Sequence, residues 1–248
     1  MENSTEFTRE IDQRVVPSIS LTEVSKTYGS GATRVDALSD VSLDVMPGEF
    51  IVFLGPSGSG KTTLLNLIGG LDTPTSGRIV VSGVDITGLK EGPLTRFRRT
   101  KVGFVFQFFN LIPTLTAREN VEFASELVSN RLSSQGLLRD VGLGERMNHF
   151  PSQLSGGESQ RVAIARALAT DPPVILCDEP TGSLDSDTGK RIFKLLRNLN
   201  ETSGKTIIVV THNSVIGEIA NRVVHLRDGK ISELSPNPNP KDPEDISW

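Results

Sequence analysis

Two kinds of apolar pattern alternate along this chain. Val41, Leu43 and Val45 alternate with Ser42 and Asp44, the period-two arrangement of a strand with one face in a core. Ile19, Leu21 and Val24 form a shorter run of the same kind. Pro47-Gly48 then turns the chain into the unbroken apolar run Phe50–Leu54, which reads as a strand buried on both faces and ending at Gly55. From Gly88 to Thr170 the segments lengthen. Ala117–Ser129 and the alanine-rich Glu158–Thr170 are helix-compatible, with the strand-like Val102–Phe106 before them. After Asp171-Pro-Pro the short runs return: a strand at Val174–Cys177, a helix marked by Ile192, Leu195, Leu196 and Leu199, and strands at Thr206–Val210 and Val223–Leu226. Strands alternating with helices predict an α/β fold with a mostly parallel sheet and an all-helical insertion between its halves.

This pattern sets the expected boundaries. Residues 1–17 are polar without a clear period and read as a flexible arm, 18–234 as the folded domain with its helical insertion at about 108–170. Residues 235–248 hold Pro236, Pro238, Pro240 and Pro243 among several acids, a composition that predicts a disordered tail. No stretch approaches the ~18 apolar residues of a membrane helix, and Met1–Arg14 lacks the apolar centre of a signal peptide. The expectation is a cytoplasmic chain whose membrane role, if any, comes through a partner. A net charge of −4 does not advertise nucleic-acid binding. The one cysteine, Cys177, excludes an intramolecular disulfide and sits in an apolar run, as a small core residue would.

Gly55-Pro-Ser-Gly-Ser-Gly-Lys-Thr62 fits the P-loop pattern, with a buried strand before it and the apolar helix Thr63–Ile68 after it. Its glycines let consecutive backbone N–H groups converge on phosphate oxygens at a helix N-terminus. Gly55, Ser57, Gly58, Gly60, Lys61, Thr62 and Thr63 are therefore candidate nucleotide contacts, with Lys61 on the β and γ phosphates and the Thr62 hydroxyl on Mg²⁺. A second apolar strand, Val174–Cys177, runs into Asp178-Glu179. An Asp-Glu pair at a strand end is by itself as easily a turn. Beside a P-loop, Asp178 reads as a Mg²⁺ ligand through water and Glu179 as the general base on the attacking water.

Leu154-Ser-Gly-Gly-Glu158-Ser-Gln-Arg161, opening the alanine-rich helix, separates this chain from other P-loop enzymes. It strongly resembles the signature of the ATP-binding cassette family, and the resemblance extends over roughly Ile19 to Leu234. It implies a P-loop NTPase core with an N-terminal antiparallel β subdomain and an inserted α-helical subdomain. It also implies ATP with Mg²⁺ sandwiched between two copies set head to tail, the signature of one closing over the P-loop of the other. Ser155, Gly156 and Gly157 would then serve both nucleotide and dimer interface. Four further positions match the family pattern. Tyr28 resembles the aromatic that stacks on adenine, Gln107 the glutamine that touches Mg²⁺ and links the core to the helical lobe, Asp185 the interface loop Ser183–Asp185, and His212 the switch histidine at the γ-phosphate. A nucleotide kinase shares the P-loop but not Leu154–Glu158.

Within the family, Arg34–Leu38, Leu67–Asp72, Arg99–Phe104 and Asn110–Val121 look most like the ATPases of macrolide exporters, lipoprotein-release complexes and the cell-division system. That resemblance implies a separate membrane permease and peripheral attachment to the cytoplasmic face. A small-solute importer ATPase and a soluble ATPase acting on DNA or ribosomes are the alternatives.

Overall fold

The computed structural model describes residues 16–126, 128–129 and 132–247. The expected N-terminal arm, apart from Val16 and Pro17, lies outside the described residues, as does Trp248. Two sheets form the frame. Strands β1 (Ile19–Tyr28) and β2 (Val35–Val45) pair antiparallel, and after β3 (Phe50–Leu54) and helix α1 (Lys61–Ile68) the chain returns through β4 (Ser76–Val81) and β5 (Val84–Asp85). These make an antiparallel sheet of order β2-β1-β4-β5, with β3 left for the other sheet.

Helix α2 (Glu91–Lys101) leads into β6 (Val102–Phe106), and the insertion follows: α3 (Ala117–Ser125), α4 (Ser134–Asp140) and α5 (Gly156–Leu168). The chain closes with β7 (Val174–Asp178), α6 (Ser186–Ser203), β8 (Thr206–Thr211), β9 (Arg222–Arg227) and β10 (Lys230–Pro236). The larger sheet has the order β10-β9-β3-β8-β7-β6, parallel except for the β9–β10 hairpin.

The unbroken apolar run of β3 is explained by what lies on each face. Phe50, Val52 and Leu54 join a core cluster with α5, α6 and the insertion, while Ile51 and Phe53 join a second one with α1 and the antiparallel sheet. Strands β7 and β8 split in the same way, with Ile175 and Val209 on one side and Leu176 and Ile208 on the other. Helix α5 is buried almost all round, which matches its small residues: Gly103 lies so close that a Cβ there would meet the Ala167 carbonyl oxygen at 2.4 Å. The inserted helices share their cluster with the sheet and have no separate core.

Within the expected tail, 235–248, the described residues 235–247 run along the folded domain. Pro243 is buried, Ile246 is 1% exposed within the cluster that holds α6, and Glu244 pairs with Lys194. Burying one isoleucine side chain stabilises by about 2 kcal/mol, and prolines lower the chain entropy that docking must overcome. Among the described residues no helix is long and apolar enough to cross a membrane.

Candidate ATP site

The sheet order brings separate sequence segments to one edge. Register pairs Leu54 of β3 with Thr211 of β8, Val210 of β8 with Asp178 of β7, and Asp178 with Phe106 of β6. The loops leaving these C-terminal strand ends therefore lie side by side, where open α/β sheets take ligands. They line a cleft of about 680 Å³ that contains Ser57, Gly58, Gly60, Lys61, Thr62, Thr63, Gln107, Asp178, Glu179 and His212.

The P-loop is built for close approach. Gly60 caps α1 at φ +99°, and a Cβ there would meet the Ala37 carbonyl oxygen at 2.5 Å. Gly55 does not line the cleft. It is a glycine because a Cβ would lie 2.2 Å from the Leu226 carbonyl oxygen of β9. Lys61 is buried, and its ammonium donates to the carbonyls of Gly55 (2.8 Å) and Pro56 (3.0 Å). Burial pushes its pKa down, opposed by the charges of Glu179 and Asp178. An ammonium held by neutral carbonyls has its charge uncompensated by contact, which suits it to an arriving phosphate.

Across the cleft, Thr62 Oγ1 donates to Asp178 Oδ1 at 3.3 Å. Burial pushes the Asp178 carboxyl up, reinforced by Glu179 and opposed by Thr62 and Lys61. A hydroxyl and a carboxylate at this distance are oxygen donors of the kind Mg²⁺ uses when phosphates and waters complete its shell. Among the described residues no cluster of three or more His, Cys, Asp or Glu side chains forms a self-sufficient metal cage.

Glu179 adopts φ +46°, a left-handed backbone uncommon outside glycine, held by its N–H to Val210 O (3.0 Å) and by Gly182 N–H to its carbonyl (3.0 Å). Its carboxylate is pinned from one side. Oε2 accepts from Thr211 Oγ1 (2.9 Å), and Oε1 accepts from the His212 backbone N–H (3.0 Å) and lies 2.8 Å from His212 Nδ1. A carboxylate only accepts, so Nδ1 carries the proton and Nε2 remains for a ligand. The Gln107 side chain packs on Gly182 in the turn after Glu179, and Ser183 Oγ donates to the Gln107 carbonyl (3.2 Å).

Besides Gly55, four predicted residues lie outside the lining of this cleft. Ser155 caps α5 reciprocally with Glu158: its N–H donates to Glu158 Oε2 (2.8 Å) and its Oγ accepts from Glu158 N–H (3.2 Å). Gly156 packs on Leu184, and a Cβ on Gly157 would meet Thr188 Cγ2 at 2.3 Å. Asp185 caps α6 through Thr188 N–H (2.9 Å). A fifth, Tyr28, is 41% exposed outside the lining, with its hydroxyl on Asp72 Oδ2 (2.7 Å) and Lys26 Nζ 4.8 Å from its ring centroid.

The P-loop and carboxylate assembly fits a known group. A family model described as ABC transporter matches residues 38–182. The chain belongs to the ABC transporter family. It is an ATP-binding subunit that hydrolyses ATP. An uncharacterised ABC transporter ATP-binding protein of Methanocaldococcus jannaschii, MJ0796, is 49% identical over 222 residues, covering 86% of this chain and 94% of that one. A macrolide export ATP-binding/permease protein MacB of Hyphomonas neptunium is 48% identical over 226 residues, 89% of this chain but 35% of MacB. A dimeric post-hydrolysis structure of MJ0796 bound to ADP and Pi superposes with a TM-score of 0.81 at 45% identity, covering 88% of this chain and 98% of that one. The family thus includes MacB-like exporters among this chain's relatives.

Sequence reasoning missed three contributors. Thr211 fixes Glu179, and a threonine ending an apolar strand carries no signal for that role. Gln160, fully buried, donates to Pro180 O (2.6 Å) beside Glu179, although it stands within the quoted signature. Asp228-Gly229 lines the cleft; its Asp-Gly pair marks a hairpin turn but not where the turn lands.

Proposed function

We propose that two copies of this chain close head to tail on two ATP molecules and drive a membrane permease at the cytoplasmic face. The observation that carries this reading is a division within one chain. Lys61, Thr62, Gln107, Asp178, Glu179 and His212 share a cleft, while the phosphate-binding type of helix start at Ser155–Gly157 lies outside it. A second copy supplies the missing half, as the dimeric form of the M. jannaschii relative supports.

In each site Lys61 and the backbone of Ser57–Thr62 hold the phosphates, and Tyr28 stacks on the adenine from the neighbouring strand end. Thr62, Asp178 and Gln107 would hold Mg²⁺, which would supply charge neutralisation for the β and γ phosphates. Glu179 accepts a proton from water as that oxygen bonds to the γ-phosphorus and the bond to the β-phosphate oxygen breaks, leaving ADP and inorganic phosphate. His212 keeps the carboxylate aimed through Nδ1–H and, with Nε2 also protonated, donates to the γ-phosphate. Asp185 and the loop before it meet the partner copy. Coupling to a permease is supported by MacB, whose name joins an ATP-binding part to a permease.

The test is Glu179→Gln, which keeps the shape and removes the base. It should bind ATP, run as a dimer in its presence, and turn over on the order of a hundred-fold or more slowly. Wild-type turnover by this variant would remove the base assignment.

A further inference from the structure

A line of hydrogen bonds runs from Glu179 away from the cleft. Thr211 Oγ1, which donates to Glu179, accepts from Asn213 N–H (3.1 Å), and Asn213 Oδ1 accepts from Val215 N–H (3.1 Å). The 3-10 turn Ser214–Ile219 that follows His212 is thus tied at its start to the carboxylate. Its far end is held by the segment 237–247. The Glu218 carbonyl accepts from Lys241 N–H (2.9 Å) and from Asn237 Nδ2 (3.0 Å), and the Glu218 carboxylate pairs with Lys241 Nζ at 2.7 Å.

Beyond Lys241 the segment crosses to α6. Ile246 belongs to the same buried core cluster as Ile216 and Ile219 of the turn and Ile192 and Leu196 of the helix. The Glu244 carbonyl accepts from Lys190 Nζ (3.2 Å), and its carboxylate pairs with Lys194. The segment therefore joins the turn behind His212 to the helix that Asp185 caps. The P-loop hangs on other supports: Ser59 O accepts from Gly229 N–H, and Gly60 packs on Ala37. Two exposed ion pairs stabilise little alone. Two donors on one backbone carbonyl, with a buried anchor beyond, fix a position.

We infer that residues 237–247 are a strap that positions the turn behind His212 for ATP hydrolysis, with Glu218, Lys241 and Ile246 as its positioning residues. The inference rests on the proposed roles of Glu179 and His212. Because the strap meets the hydrolytic side and not the phosphate cradle, it acts on kcat and leaves KM for ATP in place.

The experiment compares the full chain with Ile246→Lys, Ile246→Leu, a chain ending at Ser235, Glu218→Lys, and Glu218→Lys combined with Lys241→Glu. Steady-state ATPase is measured well below every variant's melting temperature, with Glu179→Gln alongside. Ile246→Lys and the shortened chain should lose on the order of ten-fold in kcat with KM within about two-fold. Ile246→Leu should stay near wild type. Glu218→Lys should lose kcat, and exchanging the charges should recover most of it. Unchanged kcat in Ile246→Lys and the shortened chain, beside an inactive Glu179→Gln, overturns the strap alone. So does a loss in both with no recovery in the charge exchange, which marks a structural role. Full turnover by Glu179→Gln overturns the catalytic reading and the strap together.

Discussion

At the scale of single residues, the cleft chemistry depends on which charges are already satisfied. The Lys61 ammonium is buried and held by the carbonyls of Gly55 and Pro56, neutral partners that an arriving phosphate would replace. Lys61→Ala should weaken ATP binding by about 2 kcal/mol, roughly thirty-fold in Kd. Calorimetric titration checks this, and an unchanged Kd would sink the assignment. Glu158 gives a pH test. The Ser155 N–H, foremost, and the nearby charges of Arg146 and Arg161 hold its carboxyl below the ordinary glutamate value, despite partial burial. A depressed pKa in the fold stabilises above the unfolded value of about 4 and is lost as pH falls through the folded value. Glu158→Gln should therefore be less stable than the parent at pH 7, with the gap closing below about pH 4. Urea midpoints at both pH values decide it; a gap of equal size at both would be wrong for this mechanism. Lys61, Thr62, Asp178 and Glu179 were legible because each sits at a strand end or helix start that the apolar pattern marks. Thr211 and Gln160 were not, because a hydrogen bond between distant segments leaves no local periodicity.

At the scale of elements, the β9–β10 hairpin props the P-loop. Gly229, at φ +73°, donates its N–H to Ser59 O (3.2 Å) and accepts from Ser39 N–H (2.9 Å); a Cβ there would meet the Ala37 carbonyl oxygen at 2.8 Å. Gly83 has nearly the same conformation, φ +75°, with nothing within 4 Å of an added Cβ. The pair separates strain from crowding. Gly83→Ala should cost about 1 kcal/mol of stability through backbone strain alone and leave ATP affinity unchanged. Gly229→Ala should cost more and also raise Kd for ATP, because the hairpin and the loop under it must move apart. Equal effects of the two substitutions on Kd would break the link between hairpin and P-loop. The sequence announced β3, β7 and β8 clearly, since strands buried on both faces are unbroken apolar runs. It placed the start of α5 two residues late, because the capping box at Ser155 and Glu158 opens the helix before its alanine-rich stretch begins. Strand β10 was hidden: only Ile231 and Leu234 are large and apolar there, and Leu234 is exposed.

At the scale of the molecule, the α/β class and the insertion were legible because helical and strand periods alternate in long blocks. The sheet order was not, because β3 pairs with β8 and β9 from the far end of the chain, and no local pattern encodes a partner that distant. Shared active sites are also invisible to periodicity, yet they have a sharp consequence. If Lys61 of one copy works with Ser155 of the other, two defects on different chains complement each other. Lys61→Ala spoils one copy's cradle and Ser155→Arg spoils the other's closing surface. A mixed dimer then holds one site with both defects and one with neither. Random pairing of equal amounts makes half the dimers mixed, so about a quarter of all sites are intact. Each variant alone should be nearly inactive, and mixing them before ATP is added should restore roughly that fraction of wild-type ATPase. A site completed within one chain predicts no recovery at any ratio, since every chain in the mixture carries a defect. Titrating one variant against the other should give activity that peaks near equal amounts. A flat line at background would return Ser155 to the role its capping box already gives it, a helix start and nothing more.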